Sequence, residues 1–197
     1  MNLPNKITIG RIILAIIILL ILVFPFHQIN YEWPEYLIGG SITINIKYII
    51  AGILFMVASF TDFLDGKIAR DRGIVTDFGK VMDAIADKVL VNGVLIALAY
   101  DGFLPIIIPI TIIIRDIAVD SIKMVAGSSG KAVAASMAGK IKTMFMMIGI
   151  TLVFFYNLPF ELWNISLGNY LVFIATLLSI YSGIQYFIVN KEFIRER

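Results

Sequence analysis

The sequence predicts an all-α integral membrane protein with six transmembrane helices, a short interfacial helix at the N-terminus and both termini in the cytoplasm. Hydrophobic residues make up 59% of the 197 residues and charged residues only 15%, whereas soluble chains carry about 25% charged residues. Apolar runs alternate with polar segments, and the basic residues gather on every second connection. The length suits a single membrane domain over residues 1–197.

The interfacial helix is expected in the opening stretch MNLPNKITIGR, which is mildly amphipathic. We expect the apolar run that follows it to be a retained helix, because no small-residue cleavage site comes after it. A spanning helix needs roughly 17–25 residues, so polar ends must complete the shorter runs. None shows the alternation of a barrel strand. The runs are 12–26, 44–61, 89–100 (a pattern that begins near 81), 104–125, 141–156 and 167–189.

The orientation follows from the basic residues. The connections 26–43, 101–103 and 157–166 contain no Lys or Arg and hold Trp and Tyr, which suits an outer interface. Lys47, at the outer start of the second run, is an exception. The inner segments contain Lys6, Arg11, Lys67, Arg70, Arg72, Lys80, Lys88, Lys123, Lys131, Lys140, Lys142, Lys191, Arg195 and Arg197.

Four aspartates lie on two helical faces at the inner connection between the second and third runs, within residues 62–87. Residues three, four and seven positions apart share one face of a helix. We therefore expect two antiparallel helices to face each other with their carboxylates at the cytoplasmic end. The faces consist of Asp62, Asp65, Gly66 and Ala69 on the first helix, and of Gly79, Asp83 and Asp87 on the second.

These carboxylates need a cationic partner, because a charge within a membrane costs roughly 2.5–3.5 kcal/mol on insertion scales and like charges repel. The chain has no cysteine, and the face has no histidine, so hard cations such as Mg²⁺ or Mn²⁺ fit best. Two such ions suit displacement at phosphorus. The small residues leave room for a bulky ligand, and Arg70 is placed to bind its phosphates.

The spacing D-x2-D-G-x2-A-R-x8-G-x3-D-x3-D resembles the signature of the CDP-alcohol phosphotransferase family. This resemblance implies transfer of a phosphatidyl group from a CDP-linked lipid to an alcohol, with release of CMP. Asp62, Asp65 and Asp83 would hold two divalent metals on the pyrophosphate. Asp87 would be the general base for the acceptor hydroxyl and add a metal contact. The resemblance also implies a homodimer.

The same resemblance implies a pocket for the CDP-lipid around the acidic faces. Its residues would be Asp62, Gly66, Ala69, Arg70 and Gly79, with Asn5 and Thr8 at the nucleotide headgroup.

The acceptor is suggested by basic residues outside the motif. Arg115 lies inside the fourth run, and such a residue usually pairs or faces a cavity. Together with Lys140 and Lys142 it predicts a pocket for a phosphorylated acceptor, either glycerol 3-phosphate or inositol phosphate. The N-terminal NLPNKIT..R pattern and GKIKT resemble the branch of the family that makes phosphatidylglycerophosphate. That branch often has Glu where this chain has Asp116, which leaves the partner of Arg115 open.

Two other functions compete with this interpretation. A cation transporter places charge near the midplane and often shows repeated, broken helices, whereas these acids gather at one end. An intramembrane prenyltransferase would need two acidic clusters, and the sequence has one. A net charge of +2 gives no support for binding to nucleic acid.

Overall fold

The computed structural model describes residues 3–40, 42–71, 76–128 and 137–190. The side chains of Leu3, Ala69, Arg70, Asp77, Lys80 and Ser128 lie outside the description. The described residues are mostly helical, which confirms the predicted class. The helices are α1 (Leu3–Val23), α2 (Ile46–Asp71), α3 (Asp77–Tyr100), α4 (Ile107–Ser128), α5 (Met137–Phe154) and α6 (Leu167–Val189).

Helix α1 is continuous, which corrects the expectation of a separate interfacial helix. The amphipathic opening and the first apolar run form one helix from Leu3 to Val23. Pro4 lies in the first turn, where its missing N–H sacrifices no helical hydrogen bond. One face of α1 is buried along its length at a helical spacing, through Thr8, Arg11, Ala15, Ile18 and Leu22. The polar N-terminal turns therefore pack into the protein.

A small β-hairpin lies in the first outer connection, where the sequence predicted only a loop. Its strands are β1 (Glu35–Ile38) and β2 (Ile42–Asn45), paired antiparallel from Glu35↔Asn45 to Ile38↔Ile42. Gly39 and Gly40 follow β1 with φ of 64° and 75°, a left-handed conformation that glycine adopts without steric cost. The Gly-Gly pair between two strand-like segments was the signal for this hairpin.

Within the described residues, four helices are long and apolar enough to cross a membrane, which indicates a multi-pass membrane protein. These candidate spans are Pro4–Val23, Ile46–Ile68, Met137–Phe154 and Leu167–Val189. Helices α3 and α4 are also long, but both carry ionisable residues such as Asp87 and Arg115. Large apolar side chains face outward, as Leu20 (57% exposed) and Phe63 (61% exposed) do. Soluble monomers rarely expose extensive apolar surface, whereas lipid covers it readily.

The helix packing brings the polar ends of α1, α2 and α3 together. Helix α1 packs against α2 and α3, and α6 packs against α4 and α5. The approach of α5 and α6 is close at Gly149, where an added Cβ would lie 3.0 Å from the Gly168 carbonyl oxygen. At the hairpin end of the bundle, the rings of Tyr48, Phe103 and Tyr156 pack edge to face. The acidic segments of α2 and α3 lie at the other end.

Candidate active site

Three aspartates from two helices converge, as the sequence predicted for this pair of faces. Asp62 and Asp65 belong to the last turns of α2, and Asp83 lies in the second turn of α3. One carboxylate oxygen from each residue lies within 4.8 Å of the other two. The Asp65 side chain is only 4% exposed, whereas those of Asp62 and Asp83 are 38% and 53% exposed. The group therefore has a buried floor and an open side. We call Asp62, Asp65 and Asp83 the acidic group.

Arg11 of α1 compensates the charge of the acidic group. Its side chain is 1% exposed, and its two terminal nitrogens form ion pairs with Asp62 and Asp83. The second of these nitrogens also lies 3.9 Å from Asp65. The sequence indicated only a topological role for Arg11 and a place in the N-terminal pattern. Its spacing with Thr8 and Ala15, on the buried face of α1, was the signal that it points inward.

A polar layer on α1 supports the acidic group. The Thr8 hydroxyl lies 3.1 Å from Asp65 Oδ2 and also 3.1 Å from the Pro4 carbonyl oxygen. Asn5 Nδ2 donates to Thr76 Oγ1 at 3.2 Å, and Thr76 caps α3 by accepting from the Gly79 N–H at 3.0 Å. Both Asn5 and Thr8 are buried. The predicted nucleotide residues of α1 therefore lie between the first turns of α3 and the carboxylates of α2.

Gly79 allows the close approach of α1 and α3. A Cβ at this position would lie 2.7 Å from Asn5 Oδ1 and 3.0 Å from Thr76 Oγ1. The absence of a side chain thus serves helix packing here, beside the role in a nucleotide pocket that the sequence predicted. That predicted role stays a prediction, as does the one for Gly66, which is partly exposed one residue after Asp65.

The donor chemistry of the acidic group fits hard divalent cations. Three carboxylates on two helices supply only oxygen ligands, with no sulfur or imidazole among them. Asp62 and Asp83 are partly exposed, so a cation has access from the open side. Asp87 lies one turn after Asp83 and is not part of this group.

A cavity of about 250 Å³, which we call the basic cavity, is lined by Asp87, one turn of α3 after Asp83 of the acidic group. Its size suits a small polar metabolite better than a drug-sized ligand. The lining combines cationic and acidic side chains from four helices. It includes Asp87 and Lys88 of α3, Arg115, Asp116 and Asp120 of α4, Lys142 of α5 and Tyr186 of α6.

Asp116 joins the two predicted phosphate-binding residues of this cavity. Its Oδ1 accepts from Arg115 Nη1 at 3.1 Å and from Lys142 Nζ at 3.2 Å. The three side chains are between 12% and 18% exposed. Asp116 is therefore the acidic partner of Arg115, which the sequence had left open. A shared carboxylate keeps two cations together that would otherwise repel each other.

The structure brings some of the predicted site residues to this region and not others. Asp87, Arg115 and Lys142 line the basic cavity. Lys140 is exposed and is not among the residues that line it. Residues two positions apart on a helix point in different directions, which explains why Lys142 reaches the cavity and Lys140 does not. The predicted contacts of Ala69 and Arg70 lie outside the described side chains.

Comparison with known families decides the classification. Residues 1–181 match the family model described as CDP-alcohol phosphatidyltransferase. The chain belongs to the CDP-alcohol phosphatidyltransferase family. This assignment confirms the resemblance that the acidic motif indicated.

Relatives within this family have named activities. The chain is 39% identical over 191 residues to a CDP-diacylglycerol–glycerol-3-phosphate 3-phosphatidyltransferase of Bacillus subtilis. The aligned region covers 97% of this chain and 96% of that protein. The chain is 32% identical over 193 residues to a protein of the same name from Rickettsia bellii, with 98% and 97% covered.

A solved structure shares the fold of this CDP-alcohol phosphatidyltransferase. It is that of Mycobacterium tuberculosis phosphatidylinositol phosphate synthase in its apo form, with a TM-score of 0.59 and 18% sequence identity. The similarity covers 93% of this chain and 86% of that one. It therefore extends to the whole arrangement of helices and not only to the motif.

Proposed function

We propose that the protein transfers the phosphatidyl group of CDP-diacylglycerol to sn-glycerol 3-phosphate, giving phosphatidylglycerophosphate and CMP. The observation that carries this proposal is an acidic group next to a basic cavity, with Asp87 in the lining of that cavity. Family membership supports the reaction class, and the names of full-length relatives support the acceptor. The product would enter the synthesis of phosphatidylglycerol and cardiolipin.

In this proposal the acidic group would hold two divalent cations, Mg²⁺ or Mn²⁺, and Asp87 would add a further ligand. Bound there, such cations would stabilise the negative charge of the pyrophosphate and of the departing CMP. The carboxylates of Asp62, Asp65 and Asp83 are prearranged for this role by Arg11, which keeps them within reach of one another.

The CDP-lipid approaches the acidic group from its open side, at Asp62 and Asp83. Asn5 and Thr8, the predicted residues of the nucleotide headgroup, are buried behind the acidic group on α1. The remaining residues of this predicted pocket are Asp62, Gly66, Ala69, Arg70 and Gly79.

Asp87 takes the proton that the acceptor hydroxyl must lose. The hydroxyl oxygen forms a bond to the phosphatidyl phosphorus, the bond from this phosphorus to the bridging oxygen breaks, and CMP leaves with the electron pair. Arg115 and Lys142 bind the acceptor's phosphate in the same cavity that Asp87 lines, which orients the hydroxyl towards the acidic group.

We further propose that α3 and α4 also cross the membrane, which makes six spans in a single domain of 197 residues. The distribution of Lys and Arg supports cytoplasmic termini and an active site that faces the cytoplasm, in the cell membrane. The family resemblance supports a homodimer.

The test is an acceptor panel with the purified full-length protein. CDP-diacylglycerol and Mn²⁺ are mixed with glycerol 3-phosphate, inositol phosphate, serine or glycerol, and CMP release is followed. We expect CMP only with the phosphorylated acceptors and most rapidly with glycerol 3-phosphate. No CMP with any of the four would refute the enzymatic function, and a preference for inositol phosphate would refute the assigned acceptor.

A further inference from the structure

Helix α6 fixes the position of Arg115 although it contributes no charged group to the site. The Arg115 side chain extends from α4 to α6, where Nε donates to the Ser179 carbonyl at 3.2 Å and Nη2 donates to Ser182 Oγ at 2.8 Å. Ser182 Oγ in turn donates to the same Ser179 carbonyl at 3.0 Å. These three hydrogen bonds form a closed ring between the guanidinium group and one turn of α6.

The ring determines the direction in which Ser182 offers its lone pair. A hydroxyl has one hydrogen, and here it is directed at the Ser179 carbonyl, so the oxygen accepts from Arg115. Both serines are fully buried at 0% exposure. Water therefore does not compete for these groups, and the guanidinium plane is held against rotation.

Arg115 keeps donors for a ligand after these contacts. A guanidinium has five N–H groups. Ser179, Ser182 and Asp116 each use one, which leaves two of the five without an acceptor among the described residues. Because Arg115 lines the basic cavity, these two N–H groups are available to a phosphate there.

Gly183 provides the space for this arrangement. A Cβ at this position would lie 3.0 Å from Arg115 Cγ, so the stem of the arginine passes directly over the glycine. The two neighbouring residues of α6, Ser182 and Gly183, therefore act on the same side chain, one through its head and one through its stem.

We propose that Ser182 is a positioning residue for the acceptor phosphate: it holds Arg115 so that the two remaining N–H groups face the basic cavity. This inference rests on the proposed function of that cavity. Ser182 itself does not touch the acceptor and acts through Arg115.

The test compares Ser182→Ala with Ser179→Ala, a matched control. Both serines are fully buried one turn apart, but the Ser179 hydroxyl has no partner among the described residues, and Ser179→Ala keeps the carbonyl that Arg115 uses. We expect Ser182→Ala to raise the KM for glycerol 3-phosphate about tenfold, the scale of one lost hydrogen bond to a charged group. The KM for CDP-diacylglycerol and the kcat should stay unchanged. Ser179→Ala should behave like the wild type.

A double variant separates positioning from a general structural effect. In an Arg115→Ala background, Ser182→Ala should raise the acceptor KM no further, because its effect passes through the arginine. Additive effects in the double variant would overturn the inference. An equal rise of both KM values in Ser182→Ala would also overturn it.

A direct binding measurement distinguishes this inference from the proposed function. If the wild type released no CMP with glycerol 3-phosphate, the proposed function would fail, and titration with inorganic phosphate would still decide the role of Ser182. We expect inorganic phosphate to bind Ser182→Ala about tenfold more weakly than it binds Ser179→Ala. Equal affinities would overturn the positioning role.

Discussion

Replacement of Arg11 by methionine should destabilise the protein when divalent cations are removed. Arg11 is buried among three carboxylates and pairs with Asp62 and Asp83. Methionine keeps much of the length and apolar character of the side chain but removes its charge. The carboxylates would then repel one another without compensation from Arg11.

The magnitude follows from the exposure of the partners. Removing one partner of a buried ion pair costs about 3–5 kcal/mol. Water reaches Asp62 and Asp83, which are 38% and 53% exposed, and Asp65 keeps its contact with Thr8. We therefore expect a loss of about 2–3 kcal/mol in the free energy of unfolding. For a chain of this size that corresponds to a fall in Tm of about 4–12 °C.

The assay is thermal unfolding of the purified protein in detergent, followed by tryptophan fluorescence, first with EDTA and then with Mn²⁺. Mn²⁺ should raise the Tm of Arg11→Met more than that of the wild type, because cations replace the missing charge. Lys6→Met is the control, since Lys6 is an exposed cation of the same helix. If Arg11→Met and Lys6→Met unfolded at the same temperature in EDTA, Arg11 would not be the counterion of the acidic group.

Three further predictions concern the cavity, the base and the helix packing. Arg115→Ala should raise the KM for glycerol 3-phosphate at least tenfold in steady-state kinetics and leave the KM for CDP-diacylglycerol unchanged, since charge-assisted hydrogen bonds to phosphate are worth about 1.5–3 kcal/mol. An unchanged KM for glycerol 3-phosphate would exclude Arg115 from the phosphate site. Asp87→Asn should still bind Mn²⁺ and CDP-lipid in calorimetry but lose turnover, and loss of metal binding instead would contradict its role as the base. Gly149→Ala should lower the free energy of unfolding by about 1–3 kcal/mol, because the new Cβ would lie 3.0 Å from the Gly168 carbonyl oxygen, a backbone atom that cannot easily move away. An unchanged Tm in thermal unfolding would show that α5 and α6 are packed less tightly than the structure indicates.

The acidic group was predictable because its spacing is local. Asp62 and Asp65 fall on one face of α2 by helical periodicity alone, and Asp83 of the next helix along the chain lies close to both. The helices themselves followed from apolar runs, although their polar ends extend further than the runs do. The structure confirms the helical class, and the comparisons confirm the family.

The contributions of distant elements were not predictable from local spacing. Arg11 reaches the acidic group only because α1 packs against both α2 and α3, and this neighbourhood is not encoded in any one segment. Ser182 is one of several small residues in α6, and its hydrogen bond depends on the packing of α6 against α4. The β-hairpin was missed because its strands are only four residues long.

Lys140 shows the limit of grouping charges by proximity in the sequence. Lys140 and Lys142 are two residues apart, and both were expected at the acceptor site. Because α5 is helical there, only Lys142 is directed towards Asp116 and the cavity.

The most direct test of the central claim is the fate of radiolabelled sn-glycerol 3-phosphate. The purified protein is incubated with CDP-diacylglycerol, Mn²⁺ and the labelled acceptor, and the label is followed into the lipid phase while CMP is measured in the water phase. We expect the label to enter the lipid as phosphatidylglycerophosphate in an amount equal to the CMP released, and we expect EDTA or Asp83→Ala to abolish both. Label that stays in the water phase while CMP is formed, or no reaction at all, would contradict this expectation.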